Sequence, residues 1–166
     1  MQKASELRSG WQWNTLFFLI ALLVVAADQL SKIWIRSSLP VGQSIFEAGF
    51  FRITHVHNTG AAFGLFQGQS FLLTIVALLG ITGLLVYALV IYRRFPLSGN
   101  MLGRPVLGLV LGGAVGNLID RLRFGYVTDF IDVGLWPAFN LADSAITIGV
   151  ILLAYSLLRL TRAEKH

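Results

Sequence analysis

The sequence contains no cysteine among its 166 residues. Disulfides, thiolate metal sites, a cysteine nucleophile and acylation at cysteine are therefore excluded. Charged residues are also scarce: they make up 13% of the chain, against about 25% in typical soluble domains, while apolar residues reach 55% and the mean hydropathy is +0.72. This length and composition predict a single domain, residues 1–166, that is embedded in a membrane.

Histidine is nearly absent as well, since only His55, His57 and His166 occur. The sequence has no His-Glu-x-x-His motif, which argues against a zinc protease. His55 and His57 are two residues apart on a predicted strand, so they share a face and could bind a metal. No third ligand is evident, and two surface histidines are the favoured interpretation. We therefore predict neither a metal nor another cofactor.

Basic residues outnumber acidic ones by 13 to 8. They lie at the ends of apolar runs and form no patch interleaved with aromatic residues, which argues against nucleic-acid binding. Ser31 and Lys32 are the candidate pair for a serine–lysine dyad. Because adjacent residues of a helix do not face each other, this dyad is disfavoured too.

Four apolar segments are long enough to cross a membrane: about residues 13–30, 71–92, 104–120 and 142–160. A helix needs about 20 apolar residues to span the hydrocarbon core. The first segment could instead be a cleaved signal peptide, since Lys3 and Arg8 precede it and Val25-Ala26-Ala27 is similar to a processing site. The acid-bearing segment that follows favours a permanent helix, because it matches a family motif described below.

Basic residues near helix ends predict the orientation of the chain. An even number of crossings places both termini on one side, together with eight basic residues: Lys3, Arg8, Arg93, Arg94, Arg104, Arg159, Arg162 and Lys165. The other side has five: Lys32, Arg36, Arg52, Arg121 and Arg123. Both termini are therefore predicted in the cytoplasm, and the connections of about 31–70 and 121–141 on the outer side.

Five acids fall at the outer membrane boundary in this topology: Asp28, Asp120, Asp129, Asp132 and Asp143. Carboxylates at the edge of a bilayer are costly and usually functional. Two aspartates that share a site cannot both ionise cheaply, so one keeps its proton. The charged carboxylate can then take a proton from water while the protonated one hydrogen-bonds a scissile carbonyl. Spacing alone does not choose the pair.

The outer connection after the first helix has structure of its own. Phe50 to His57 is rich in β-branched and aromatic residues and predicts a short strand, and Asn58-Thr59-Gly60 predicts a turn. Ala61 to Phe66 is apolar and is expected to return along the membrane surface. We therefore predict a mainly α membrane protein with four transmembrane helices, a small periplasmic β-sheet lying on the bilayer, and a membrane-surface loop or helix.

The third apolar segment carries Gly108, Gly112 and Gly116, one every four residues. Small residues at this spacing predict close helix packing in lipid. A phosphate-binding loop is disfavoured, because the segment lacks the lysine and the strand-to-helix setting that phosphate binding requires. Asn117 and Arg121, four residues apart, are expected to share another face of the same helix.

Five segments resemble, in order, the motifs of the bacterial lipoprotein signal peptidases, also called type II signal peptidases: Asp28-Gln-Leu-Ser-Lys32, Asn58-Thr-Gly-Ala-Ala-Phe-Gly64, Gly112-Gly-Ala-Val-Gly-Asn-Leu-Ile-Asp-Arg121, Val127-Thr-Asp-Phe130 and Phe139-Asn-Leu-Ala-Asp-Ser144. The resemblance covers nearly the whole chain. It implies an aspartyl endopeptidase of the bacterial inner membrane that cuts prolipoproteins on the amino side of a cysteine carrying diacylglycerol. It also implies contact with membrane lipids and sensitivity to globomycin-type cyclic peptides, and a bundle with its own cleft can act as a monomer.

The resemblance also implies roles for individual residues. The catalytic pair corresponds to Asp129 and Asp143. Residues that line the pocket or support it correspond to Asn58, Gly60, Phe63, Asn117, Arg121, Asn140, Asp28, Lys32 and Asp120. The apolar loop around Phe63 and Phe66 is expected to close over the site and limit the access of water.

Two other classes of protein remain as alternatives. A small proton- or ion-coupled transporter would also place acids in a membrane, but near its middle and often with inverted repeats or broken helices. The middle of each predicted helix is apolar here, and no repeat is present. A non-catalytic membrane scaffold would account for the helices but not for the clustered acids.

Overall fold

The computed structural model describes residues 2–61, 65–91 and 103–163. Within these residues the chain forms four α-helices and three β-strands: α1 (Gln2–Ser38), β1 (Ser44–Ala48), β2 (Phe51–Asn58), α2 (Ser70–Val86), α3 (Gly103–Phe124), β3 (Val127–Asp132) and α4 (Leu141–Ala163). A π-helical turn, Tyr87–Ile91, extends α2. Each helix contains a stretch long and apolar enough to span a membrane. The predicted fold class, four membrane helices with a small sheet, is confirmed.

The first helix is longer than predicted. Its expected end near residue 30 is wrong, because the helix continues through Asp28, Lys32 and Arg36 to Ser38. These three polar residues are spaced by four and therefore lie on one face of the helix. That face packs against α3, where Lys32 and Arg36 pair with Asp120 and are shielded from lipid. The helix can therefore extend beyond the end of the apolar segment.

Helix α3 is the centre of the bundle and contacts α1, α2 and α4. Of its membrane-spanning stretch 56% is buried, against 6% for α2. The glycine spacing explains the close approach of α1: a Cβ at Gly108 would lie 2.7 Å from the carbonyl oxygen of Phe17, and one at Gly112 would lie 2.7 Å from that of Ala21. The predicted packing role of these glycines is therefore confirmed.

The strands form one antiparallel sheet in the order β1-β2-β3. Strand β2 corresponds to the predicted strand, whereas β1 and β3 were not predicted. The expected connections of about 31–70 and 121–141 are too long, since α1 continues to Ser38 and α3 to Phe124. The first connection contains β1 and β2, and the second contains β3. Gly125, at φ 76°, turns the chain from α3 directly into β3. This turn brings β3 to the end of the bundle where α4 begins.

Candidate active site

A cleft of about 660 Å³ lies between the sheet and the adjoining ends of α3 and α4. Its polar lining consists of His57, Asn58, Gln67, Asn117, Arg121, Asp129, Asp143, Ser144 and Thr147. Its apolar lining includes Val56, Val127, Phe139, Ile146 and Ile148. The cleft is therefore polar where the sheet meets the helix ends, and along α4 apolar and hydroxyl side chains line it together.

The first turn of α4 fixes Asp143 in this cleft. The side-chain oxygen of Asn140 accepts a hydrogen bond from the backbone N–H of Asp143 at 2.9 Å. In return, Asp143 Oδ2 accepts one from the backbone N–H of Asn140 at 3.2 Å. This reciprocal pair is a capping box, which satisfies N–H groups that have no partner inside the helix. The end of the helix therefore determines where the Asp143 carboxylate points.

Asp129 reaches the same place from the sheet. It is buried, and its Oδ1 accepts a hydrogen bond from the side-chain amide of Asn140 at 2.7 Å. Its Oδ2 accepts one from the amide of Asn58 at 2.9 Å. Asn140 therefore contacts both aspartates, with its amide nitrogen on Asp129 and its backbone N–H on Asp143. Two carboxylates from different elements are held side by side.

Burial, with the neighbouring charge of Asp143 as a second cause, raises the pKa of the Asp129 carboxyl from its ordinary value of 3.8 to about 7. The amides of Asn58 and Asn140 and the charge of Lys32 oppose this effect without cancelling it. A large part of the Asp129 population therefore carries a proton at neutral pH.

A buried ionic cluster lies beneath the two aspartates. Lys32 Nζ is 2.8 Å from Asp28 Oδ2 and 3.4 Å from Asp120 Oδ2, and all three side chains are fully buried. Lys32 also donates a hydrogen bond to Asn117 Oδ1 at 2.9 Å, and the amide of Asn117 donates to Asp143 Oδ1 at 2.7 Å. Asn117 thus links a buried cation to the carboxylate of Asp143.

The same cluster holds β3 and α4 in place. Asp120 Oδ2 accepts a hydrogen bond from the backbone N–H of Thr128, and Asp28 Oδ1 accepts one from the backbone N–H of Ala142, each at 3.0 Å. Thr128 and Ala142 immediately precede Asp129 and Asp143, respectively. The acids at Asp28 and Asp120 therefore fix the backbone next to each cleft carboxylate without lining the cleft themselves.

The segment after β2 closes one side of the cleft. The side-chain oxygen of Asn58 accepts a hydrogen bond from the backbone N–H of Gly60 at 2.9 Å, and Arg121 Nη2 donates to the carbonyl of Gly60 at 3.3 Å. A Cβ at Gly60 would lie 2.8 Å from the carbonyl oxygen of Leu65, so this turn requires glycine. Phe63 lies outside the described residues, and closure of this loop over the cleft stays a prediction.

Comparison with known proteins identifies the family. A family model described as signal peptidase (SPase) II matches residues 20–159. The chain belongs to the signal peptidase II family. A lipoprotein signal peptidase of Dehalococcoides mccartyi (strain BAV1) is 51% identical over 135 residues, which cover 81% of this chain and 84% of that protein. A lipoprotein signal peptidase of Moorella thermoacetica is 51% identical over 144 residues, covering 86% of this chain and 92% of that protein.

Solved structures agree with this assignment. A bacterial membrane enzyme solved by the in meso method at 2.3 Å resolution is similar with a TM-score of 0.77 and 34% identity, over 87% of this chain and 88% of that one. A second one, at 1.9 Å, gives a TM-score of 0.73 and 36% identity, over 86% and 92% of the two chains. This member of the signal peptidase II family is therefore a membrane-embedded peptidase, as predicted from the sequence motifs.

Three residues near the cleft have other roles in this signal peptidase II family member. Asp132 faces away from the cleft and pairs with Arg52 at 2.6 Å. The backbone N–H of Gly134 donates a hydrogen bond to the Asp132 carboxylate, and this bond and the charge of Arg52 lower the pKa of the Asp132 carboxyl. The prediction that His55 is a surface residue is wrong: it is buried, with Nδ1 2.6 Å from the carbonyl oxygen of Leu39. His57 stacks on Tyr126 at 3.6 Å between ring centroids.

The serine–lysine pair and the histidine metal site were both disfavoured in the sequence, and the structure describes the contacts of these residues. The hydroxyl of Ser31 donates to the carbonyl of Asp28 in its own helix, while Lys32 contacts Asn117. In the part of the chain that the structure describes, no three histidine or acidic side chains are grouped to hold a metal ion.

Sequence reasoning missed Gln67 of the cleft lining and two supporting residues of this signal peptidase II site, Arg36 and Thr128. Arg36 donates hydrogen bonds to Thr128 Oγ1 at 3.0 Å and to Asp120 Oδ1 at 3.4 Å. Thr128 lies within the Val127–Phe130 motif, and this motif could have indicated its role. Its burial could not be predicted from the sequence. Arg36 lies in no motif quoted above, so nothing in the sequence pointed to it.

Proposed function

We propose that this protein is an aspartyl endopeptidase that removes signal peptides from diacylglyceryl-modified prolipoproteins. It cuts on the amino side of the lipid-modified cysteine, with Asp129 and Asp143 as the catalytic pair. The observation that supports this most strongly is the meeting of the two carboxylates in one cleft, bridged by Asn140, at the end of a membrane bundle. The relatives named as lipoprotein signal peptidases support the choice of substrate.

The proposed mechanism assigns different forms to the two acids. Asp129 keeps its proton, since burial raises its pKa to about 7. Asp143 is the charged partner, because the amide of Asn117 and the start of α4 both stabilise a negative charge there. Asp143 takes a proton from water, the water oxygen bonds to the scissile carbonyl carbon, and the Asp129 proton passes to the carbonyl oxygen.

The tetrahedral intermediate then collapses. The carbon–nitrogen bond breaks, the proton held by Asp143 passes to the leaving nitrogen, and the hydroxyl proton returns to Asp129. One water is consumed, and both carboxyl groups regain their starting forms. No covalent intermediate with the protein is formed, and no metal or other cofactor is required. Asn58, Asn117, Arg121 and Asn140 position the carboxylates and the substrate, while Asp28, Lys32 and Asp120 hold the surrounding backbone.

The proposed setting is the outer face of the bacterial inner membrane. A multi-pass chain with both termini in the cytoplasm brings the cleft to the boundary where a lipid-anchored cysteine lies. The enzyme acts as a monomer among membrane lipids, and a globomycin-type cyclic peptide is expected to inhibit it by occupying the cleft.

The test uses purified protein in detergent with a diacylglyceryl-modified prolipoprotein. Asp129→Asn and Asp143→Asn should each abolish cleavage, and each variant should still fold and show a cooperative thermal unfolding transition. Asp132→Asn is the matched control: this aspartate lies on the same strand as Asp129 but outside the cleft, so cleavage should persist. A chelator should have no effect. Full cleavage by either of the first two variants would disprove the assignment of the pair.

A further inference from the structure

The face of α4 that lines the cleft changes its chemistry from one helical turn to the next. Asp143, Thr147 and Ile151 follow one another at intervals of four residues, so they lie on one face of the helix. Asp143 and Thr147 line the cleft, and Ile151, one turn further along, is 60% exposed. A carboxylate, a hydroxyl and an alkyl group are therefore arranged in this order from the end of the bundle toward its middle.

The hydroxyl of Thr147 differs from the threonine hydroxyls of α2. Thr74 donates a hydrogen bond to the carbonyl oxygen of Ser70, and Thr82 donates one to that of Leu78, each at 2.8 Å. A bond to the carbonyl four residues earlier satisfies a hydroxyl within a membrane helix. Thr147 also lies in a membrane-spanning stretch, but its hydroxyl has no hydrogen-bond partner among the residues that the structure describes. This hydroxyl is therefore available to a ligand in the cleft.

The surroundings of Thr147 indicate which chemical group it can bind. Ile146 and Ile148 flank it on α4, and Trp136 lines the same cleft. The nearest charged residue along the helix is Asp143, one turn away. A single neutral donor in a mostly apolar setting suits an uncharged acceptor, such as the carbonyl oxygen of an amide or an ester. A phosphate or a carboxylate would require charged donors at this depth.

We propose that Thr147 donates a hydrogen bond to an ester carbonyl of the diacylglyceryl group and is thereby a specificity-determining residue for the lipid-modified cysteine. This inference rests on the proposed function. In that substrate the scissile amide, the esters and the acyl chains follow one another, in the same order as Asp143, Thr147 and Ile151 along α4. The cysteine side chain and part of the glycerol separate the amide from the nearer ester. They are long enough to span one helical turn of about 5.4 Å.

The signal peptide is the other source of carbonyl groups at this depth. A peptide segment within the membrane satisfies its carbonyls by forming a helix. An ester carbonyl accepts hydrogen bonds, but the diacylglyceryl group has no donor of its own to satisfy it. A donor from the protein is worth more where water is scarce. The unpaired acceptor that suits the free hydroxyl of Thr147 is therefore the ester.

The test combines substitutions of Thr147 with a change in the substrate. Thr147→Val removes the hydroxyl and keeps the shape of the side chain, whereas Thr147→Ser keeps a hydroxyl. Each purified variant is assayed in detergent with a diacylglyceryl prolipoprotein and with a dialkyl ether analogue, which lacks both ester carbonyls. Thr82→Val is the matched control, because that hydroxyl is bonded within α2 and lies outside the cleft lining. Thermal unfolding of each variant is measured in parallel.

With the ester substrate, Thr147→Val should raise KM several-fold, as expected for the loss of one neutral hydrogen bond. The value of kcat should not change, because this bond is remote from the reacting atoms and is present before and during the reaction. Thr147→Ser should remain close to the parent. The ether analogue should show the raised KM with the parent itself, and Thr147→Val should raise it no further. Thr82→Val should behave as the parent with both substrates.

An unchanged KM of Thr147→Val for the ester substrate would overturn the proposal. So would an equal rise for the ester and ether substrates, since the hydroxyl would then contact the peptide. A fall in kcat accompanied by a lower unfolding temperature would indicate a structural role instead. Binding of both substrates to Asp129→Asn, with and without Thr147→Val, should give the same ratios as Kd values. This measurement separates lipid recognition from catalysis, because it does not depend on the assignment of the catalytic pair.

Discussion

Asp129 is the residue whose proton controls the proposed reaction. Burial and the charge of Asp143 raise its pKa to about 7. Because the protonated form is required, kcat/KM should fall as pH rises above this value, by about tenfold per unit where deprotonation limits the rate. The pair titrates as a unit, so the measured value belongs to both carboxylates. The measurement is a pH profile of cleavage between about pH 6 and 9.

The pH dependence of the protein's stability gives an independent check on the protonation of Asp129. Since the pKa of Asp129 is higher in the folded protein than its ordinary value of 3.8, the folded state binds more protons than the unfolded chain between 3.8 and about 7. Stability therefore falls as pH rises through that interval. Asp129→Asn removes this loss and should unfold at a higher temperature than the parent at pH about 8. A cleavage rate that does not change with pH, or a less stable variant, would contradict a protonated Asp129.

Asn140 caps α4 and also bonds to Asp129 of the proposed catalytic pair, and two substitutions separate these two contacts. Serine can cap α4 but cannot reach Asp129 as the amide does, whereas alanine does neither. Asn140→Ala should lose about 0.5–2 kcal/mol of stability, and Asn140→Ser much less. Both should lose about 100-fold in kcat, since a carboxylate is displaced.

Thermal unfolding and single-turnover cleavage measure the two effects of the Asn140 substitutions. If Asn140→Ser retained full activity, the bond from Asn140 to Asp129 would have no part in catalysis. If both variants were equally unstable, the capping role would be wrong.

The contact between α1 and α3 depends on glycine, and α2 provides the control. A Cβ at Gly112 would lie 2.7 Å from the carbonyl oxygen of Ala21 and 2.7 Å from the Cβ of Val24, so the helices must separate to admit it. Gly112→Ala should therefore cost about 1–3 kcal/mol. Gly80 of α2 has nothing within 4 Å of the same position, and Gly80→Ala should be neutral or stabilising. Equal stability of the two variants in mixed micelles would show that the glycine spacing does not determine packing.

The elements differ in how far the sequence reveals them. Apolar length predicts helices in lipid, and it located all the membrane helices among the described residues. It fails at Lys32 and Arg36, because their charges are neutralised by Asp120 of another helix, which a local pattern cannot show. Strand β3 has no alternation, because its first four residues are all buried. Strand β1 is exposed throughout and is defined by its pairing with β2.

The same limit applies to the cleft. Motif resemblance predicted catalytic roles for Asp129 and Asp143, whereas spacing along the chain did not distinguish them from Asp28, Asp120 or Asp132. Only the folded arrangement separates the two acids that line the cleft from those that support it and from Asp132, which is bonded to Arg52. Clustered acids in one sequence therefore indicate a site, whereas their roles depend on contacts between distant elements.

The whole molecule places its cleft at one end of the bundle, and charge predicts which side of the membrane that end faces. Eight basic residues accompany the termini and five lie on the cleft side. This difference predicts cytoplasmic termini and an outer cleft. A single cysteine replacing Gln43, before β1, should react with a membrane-impermeant maleimide in intact spheroplasts. One replacing Ala163, at the end of α4, should react only after the membrane is disrupted.

The two cysteines form a matched pair because the parent chain has no other thiol. The opposite labelling pattern would place the acids in the cytoplasm, where a translocated prolipoprotein does not present its lipid-modified cysteine. The same pair also tests the helix count: an odd number of crossings would leave Gln43 outside and expose Ala163 on the outer side as well. Labelling of Gln43→Cys alone is therefore required both by the orientation and by the presence of an even number of spans.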